Sequence, residues 1–121
     1  MFSDGAVNTF SEEMAQGFIN AGFQYIGSRT IEIQSLNSIL DQHLSPHQEI
    51  DILDIDCEGL DEDILWSFDI QRFRPKIILA ESHGFDFLKP LQDPIFSYLT
   101  GQGYTVNARV GPTLIALDAI Q

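Results

Sequence analysis

Two patterns of apolar positions alternate along the chain: recurrences at about every fourth residue, which belong to helices, and short continuous runs, which belong to buried strands. Phe10, Met14 and Phe18 follow the first pattern. Thr9 and Glu12 ahead of them have the spacing of a capping box, and Asn20-Ala21-Gly22 offers a stop, so a short amphipathic helix is expected here, weakened by Gly17. Thr30-Ile31-Glu32-Ile33 alternates like a brief strand. Ser35 is placed to cap a turn or two of helix carrying Leu36, Ile39 and Leu40, and Pro46 breaks the loop that follows.

The second pattern appears at Ile50 to Asp56, an apolar-rich run that ends in acids and Gly59, as a buried strand does when it feeds a functional loop. Leu60, Ile64 and Phe68 then share a helix face, with Asp61, Glu62 and Asp63 in the first turn, where the helix dipole favours negative charge. After Pro75, Lys76 to Glu81 forms a second run of the buried type. Strand, helix, strand is a βαβ unit, which makes the two strands parallel. Asp93-Pro94 starts another helix, with Ile95, Phe96 and Leu99 on its apolar face and Gly101 and Gly103 at its end. Tyr104 to Val106 and Thr113 to Leu117 read as an antiparallel pair around Gly111-Pro112. The expectation is a single α/β domain over residues 1–121, with a parallel pair, an antiparallel pair and helices on both faces.

Charge narrows the partners. With 18 acids against 6 bases the formal charge is −12, and Arg72, Arg74, Lys76 and Lys89 are too mixed with acids to make a basic patch. Nucleic acid and anionic membrane are disfavoured as partners, whereas a small polar molecule is not. Cys57 is the only cysteine, so an intrachain disulfide and a cysteine-rich zinc site are excluded. No basic segment followed by an apolar run opens the sequence and no stretch reaches membrane-spanning length, which leads to the expectation of a cytoplasmic protein.

Residues 51–82 resemble the core signature of the FkbM methyltransferases: Ile55-Asp56-Cys57-Glu58-Gly59 at a strand end, a short helix, Arg74-Pro75-Lys76 before the next strand, and Glu81 at that strand's end. Cys57 stands where the family usually has valine, a swap between small apolar side chains. Thr9-Phe10-Ser11, the Ser35 to Leu40 segment and Gly103-Tyr104 are similar to flanking parts of the same domain. The resemblance covers nearly all of the chain but only the C-terminal half of the family's domain. It implies S-adenosylmethionine as methyl donor and a hydroxyl of a sugar or other small molecule as acceptor. The glycine-rich turn that the family uses to hold the donor has no counterpart: Gly101-Gln102-Gly103 lies between a helix and a strand, the reverse of the required order. A truncated domain, not active alone, is therefore expected.

Open parallel sheets bind ligands beyond the carboxyl ends of their strands. That rule puts Asp54 and Asp56 on the cleft wall as cofactor-binding candidates, with Asp56, Glu58 and His83 as catalytic candidates and Glu81 and His83 toward the acceptor. His83 is a candidate base and equally an ordinary exposed loop histidine. Carboxylates grouped this way raise one another's pKa or recruit a cation, although no metal set is assigned. Two other readings stay open. Asp54-Ile55-Asp56 is a D-x-D of the kind that holds a metal and a sugar nucleotide in glycosyltransferases. A non-catalytic half-domain would instead expose the edge of strand 50–56, inviting a second copy or a companion chain to pair with it.

Overall fold

The computed structural model describes residues 1–57 and 59–120, the side chain of Ala6 excepted. Four strands, β1 (Ile52–Ile55), β2 (Ile77–Glu81), β3 (Tyr104–Val110) and β4 (Thr113–Asp118), form one open sheet in the order β1-β2-β4-β3. β1 and β2 are parallel with Ile55 beside Ala80, β4 runs antiparallel to β2 with Thr113 beside Glu81, and β3 and β4 make the expected hairpin. The crossover from β1 to β2 holds two helices, α3 (Asp61–Ser67) and a short α4 (Ile70–Phe73) that apolar spacing had not indicated. Asp69 creates the break by capping α4 through the Arg72 N–H at 3.1 Å.

One row of alternate residues on the sheet is buried. Ile55, Ile78, Ala80, Leu114 and Ala116 pack with Leu65 and Phe68 from the α3 segment, Ile70 of α4, Tyr104, and Ile95 and Leu99 of α5 (Pro94–Gly101). The alternation of strands places Ile52, Ile77, Leu79, Ile115 and Leu117 on the opposite face, where cover is incomplete and Ile52 is 57% exposed. The burial seen thus belongs to the face that carries α3, α4 and α5.

The signature Arg74-Pro75-Lys76 holds the amino end of the parallel strands, far from their carboxyl ends. Arg74 ends α4 in a left-handed conformation (φ 40°) and forms a two-pronged pair with Asp118, at 3.0 and 2.6 Å. It also donates to the Gln102 carbonyl at 2.8 Å and lies 4.6 Å from the centre of the Tyr104 ring. The Tyr104 hydroxyl donates to the Pro75 carbonyl at 2.6 Å, and burial pushes that phenol up to about 12. Lys76 reaches Asp51 and Glu49 at 2.7 and 2.9 Å.

Two local expectations are corrected. The first helix, α1 (Glu12–Asn20), is capped by Ser11 rather than Thr9: Ser11 Oγ accepts the Met14 N–H at 3.2 Å, while Thr9 Oγ1 accepts the Ser11 N–H at 3.0 Å. Its stop is as expected, with Gly22 at φ 92°. Thr30 to Ile33 is not a strand, because no neighbouring segment among the described residues offers it a ladder, and Ile33 is 78% exposed. Ser35 does cap α2 (Leu36–His43), whose Leu36 and Leu40 reach the core. Asn37 joins α2 to the α3–α4 corner through the Ser67 carbonyl and the Asp69 N–H.

Candidate functional site

At the carboxyl ends of β1 and β2 lies a cleft of about 520 Å³, bordered by the Gly59 turn, the start of α3, Glu81 to Gly84, and the start of α5. Its position follows from the topology, since parallel strands direct their following loops to the same edge of the sheet. Asp61, Glu62, Asp63, Glu81 and Asp93 line it, together with His83 and with no lysine or arginine. Such a lining repels anions and accepts hydrogen bonds from hydroxyls and cations.

Glu81 and His83 meet here, as β2 ends and the chain turns outward. His83 Nε2 stands 3.2 Å from Glu81 Oε2, with the histidine side chain 78% exposed and the glutamate 22%. A carboxylate on Nε2 favours the tautomer with hydrogen on that nitrogen, which leaves the Nδ1 lone pair free to accept a proton. His83 is thus an exposed loop histidine with one ring nitrogen held by Glu81.

Asp54 and Asp56 are not brought to the cleft. Both are exposed, and neither borders it. An exposed carboxylate at a strand end carries no burial cost, so the position of Asp56 needs no special purpose. Glu58 lies outside the described residues. Among the described residues no three His, Cys, Asp or Glu side chains are grouped so as to hold a metal ion.

Two carboxylates that looked like ordinary helix-start charges organise the site. Asp61 is buried, and its oxygens accept the N–H groups of Cys57 at 3.3 Å and Gly59 at 3.2 Å, clasping the turn after β1. Burial first, and then the Asp61 carboxylate, push the Cys57 thiol up, which suits packing rather than nucleophilic attack. Asp93 caps α5 through the Phe96 N–H at 2.8 Å, as its sequence position foretold, and its other oxygen accepts the buried Ser82 hydroxyl. That bond ties the segment after β2 to α5, and the Ser82 N–H ties it to the Pro112 carbonyl at 2.9 Å. Sequence marks the Asp93 cap but carries no sign of the Ser82 link, which spans eleven residues.

The donor implied by the resemblance carries an ammonium, a sulfonium and ribose hydroxyls, which suit carboxylate partners. A glycine turn that lets backbone approach the ligand is a different matter. Gly59, in the turn that leads from β1 to α3, has φ 97°, and a Cβ there would stand 2.7 Å from Met14 Sδ, so its open side is already taken by α1. The described residues supply polar acceptors for part of the donor but do not fit all of it.

Residues 3–106 match the family model of the methyltransferase FkbM domain. No curated protein and no solved structure matches the chain. No helix among the described residues is long and apolar enough to cross a membrane. The family match takes in most of the chain, from the N-terminal segment through both parallel strands into β3, and the mixed sheet accords with a partial methyltransferase fold. This chain belongs to the FkbM methyltransferase family.

Proposed function

We propose that the chain serves S-adenosylmethionine-dependent O-methyl transfer to a hydroxyl of a sugar or other small molecule, by supplying the acceptor side of the site. The observation that carries this reading is the Glu81–His83 contact on the cleft, in a chain of methyltransferase family. His83 Nδ1 takes the proton of a hydroxyl seated in the cleft, Glu81 holds the imidazole in register, and the carboxylates around them orient the acceptor's remaining hydroxyls. When bound, the donor supplies the electrophilic methyl group. The Gly59 turn does not cradle it, so the chain alone is expected to turn over poorly or not at all.

Titration calorimetry of the chain with S-adenosylmethionine and S-adenosylhomocysteine tests the donor side directly. A chain that supplies the acceptor side alone should bind neither saturably, and saturable binding of both would show that it holds the donor as well. In a preparation that transfers methyl groups, His83→Gln should lower kcat by about 10² to 10⁴ with little change in donor affinity, the usual span for a general base. An unchanged kcat would remove His83 from the mechanism.

A second reading is favoured by the position of β1. It is the edge of the sheet, paired only with β2 among the described residues, and Ile52 is 57% exposed. An unpaired edge of this kind accepts a strand from a second copy or a companion chain. Light scattering over a range of concentrations, with Ile52→Lys beside the parent, reads this out: association that the lysine abolishes supports edge pairing, and a monomer throughout rules out the homodimer.

A further inference from the structure

The loop after β2 has two sides, and only one faces the acidic cleft. Past His83 and Gly84 it continues through Phe85, Phe87 and Pro90, which wall a separate cavity of about 200 Å³ completed by Phe96 of α5 and by Val106 and Arg109 of β3. Phe85 meets Phe87 edge-on at 5.0 Å, and its ring is tilted 36° to that of Phe96 at 5.6 Å. The Arg109 guanidinium carbon lies 5.6 Å from the centre of the Phe85 ring and 6.0 Å from that of Phe87.

A bulge aims Arg109 here. The register of β3 on β4 shifts between Val106 and Ala108, which sets Arg109 rather than Ala108 opposite Leu114, on the buried face of the sheet. Its Nε is buried and has no hydrogen-bond partner, and no described carboxylate forms an ion pair with it, although the chain has three acids for every base. The ring contacts hold the cation without satisfying its N–H donors. Arg109 also lies beyond residue 106, where the family match ends.

We propose that this cavity binds a small aromatic carboxylate, with its carboxylate on Arg109 and its ring among Phe85, Phe87 and Phe96. An arginine fork recognises a carboxylate in two places at once, and the phenylalanine walls select a flat apolar body. Val110 and Glu81 are both register partners of Thr113, so the cavity and the acidic cleft share one edge of the sheet. His83 and Phe85 are two residues apart, at most about 7 Å of chain. Use of the carboxylate as an anchor for the methyl acceptor rests on the methyl-transfer reading; binding of the anion does not.

The test is an NMR titration of the whole chain with benzoate and with benzamide, its neutral counterpart, following the Arg109 Nε–H and the rings of Phe85 and Phe87. Benzoate should bind saturably at those resonances and at least tenfold more tightly than benzamide. Arg109→Gln should abolish that preference, and Phe87→Ala, at a residue 70% exposed and safe for folding, should weaken both ligands several-fold. Equal affinity for the two ligands, or benzoate binding unchanged in both variants, overturns the proposal. No methyl donor is present, so failure here leaves the calorimetric result on S-adenosylmethionine standing.

Discussion

Replacing Arg74 by methionine isolates what the signature Arg-Pro-Lys does. The substitution keeps an apolar stem of similar reach but deletes two hydrogen bonds to Asp118, one to the Gln102 carbonyl, and the stacking on Tyr104. Asp118 stays behind with its side chain 2% exposed, while that of Arg74 was 19% exposed. Removing one partner of a buried pair costs about 3–5 kcal/mol, and a pair that reaches the surface on one side should lose about 2–4 kcal/mol. For a chain of this length that corresponds to a fall in Tm of roughly 8–15 °C.

The loss should depend on pH in a particular direction. Hydrogen bonds from Arg74 hold the Asp118 carboxyl below its ordinary range, helped by the Ile120 N–H and opposed by burial. A depressed folded-state pKa gives stability that is fully present above the unfolded value, about 3.9, and lost as pH falls through the folded value. Without Arg74, burial dominates and Asp118 carries an uncompensated charge at neutral pH, which protonation relieves. The gap between parent and variant should therefore be widest near pH 7 and narrow toward pH 3. Urea unfolding followed through Trp66, the only tryptophan, measures it. A gap below about 1 kcal/mol at pH 7, or an equal gap at pH 3, would refute the assignment. Arg74→Met combined with Asp118→Leu should recover part of the loss, because an apolar pair no longer buries a lone charge.

Gly59→Ala should cost about 1–3 kcal/mol through its positive φ and the approach of Met14, and Met14→Ala in the same chain should return only the steric part; thermal melts of the two variants separate these contributions. Cys57 should react with iodoacetamide at pH 8 more slowly than an unperturbed thiol, and Asp61→Asn should speed it by removing a charge that opposes the thiolate; equal rates in parent and variant would remove Asp61 from that effect. Asp93→Ala should destabilise by about 1–3 kcal/mol, since it uncaps α5 and strands the Ser82 hydroxyl, whereas Ser82→Ala alone should cost less; the reverse order in urea unfolding would show that the cap matters little.

What the amino-acid sequence determined by itself is the part carried by neighbours in the chain. The Ile50 to Asp56 and Lys76 to Glu81 runs, the helix opened by Asp93-Pro94 and the turn at Gly111-Pro112 all appear in the fold. Their signals are a cap, an apolar run or a glycine acting within a few residues, and a βαβ crossover allows few topologies. The family signature was legible for the same reason, as was the place of Glu81 and His83 at the end of a strand.

Only the tertiary structure decided the rest, because it depends on groups far apart in sequence. Thr30 to Ile33 alternates like a strand yet has nothing among the described residues to pair with, and β3 continues to Val110 because β4 is there to bond it. Asp54 and Asp56 sit at the expected strand end but stand in water, while Asp61 and Asp93, which read as helix-start charges, turn inward to hold the cleft. Arg74 reads in the sequence as part of the family signature, and its tie to Asp118, 44 residues away, is visible only in the fold. Sequence spacing fixes which face of an element a side chain shares, but which groups meet there is settled by packing, where an unpaired buried charge or donor is too costly to leave unanswered.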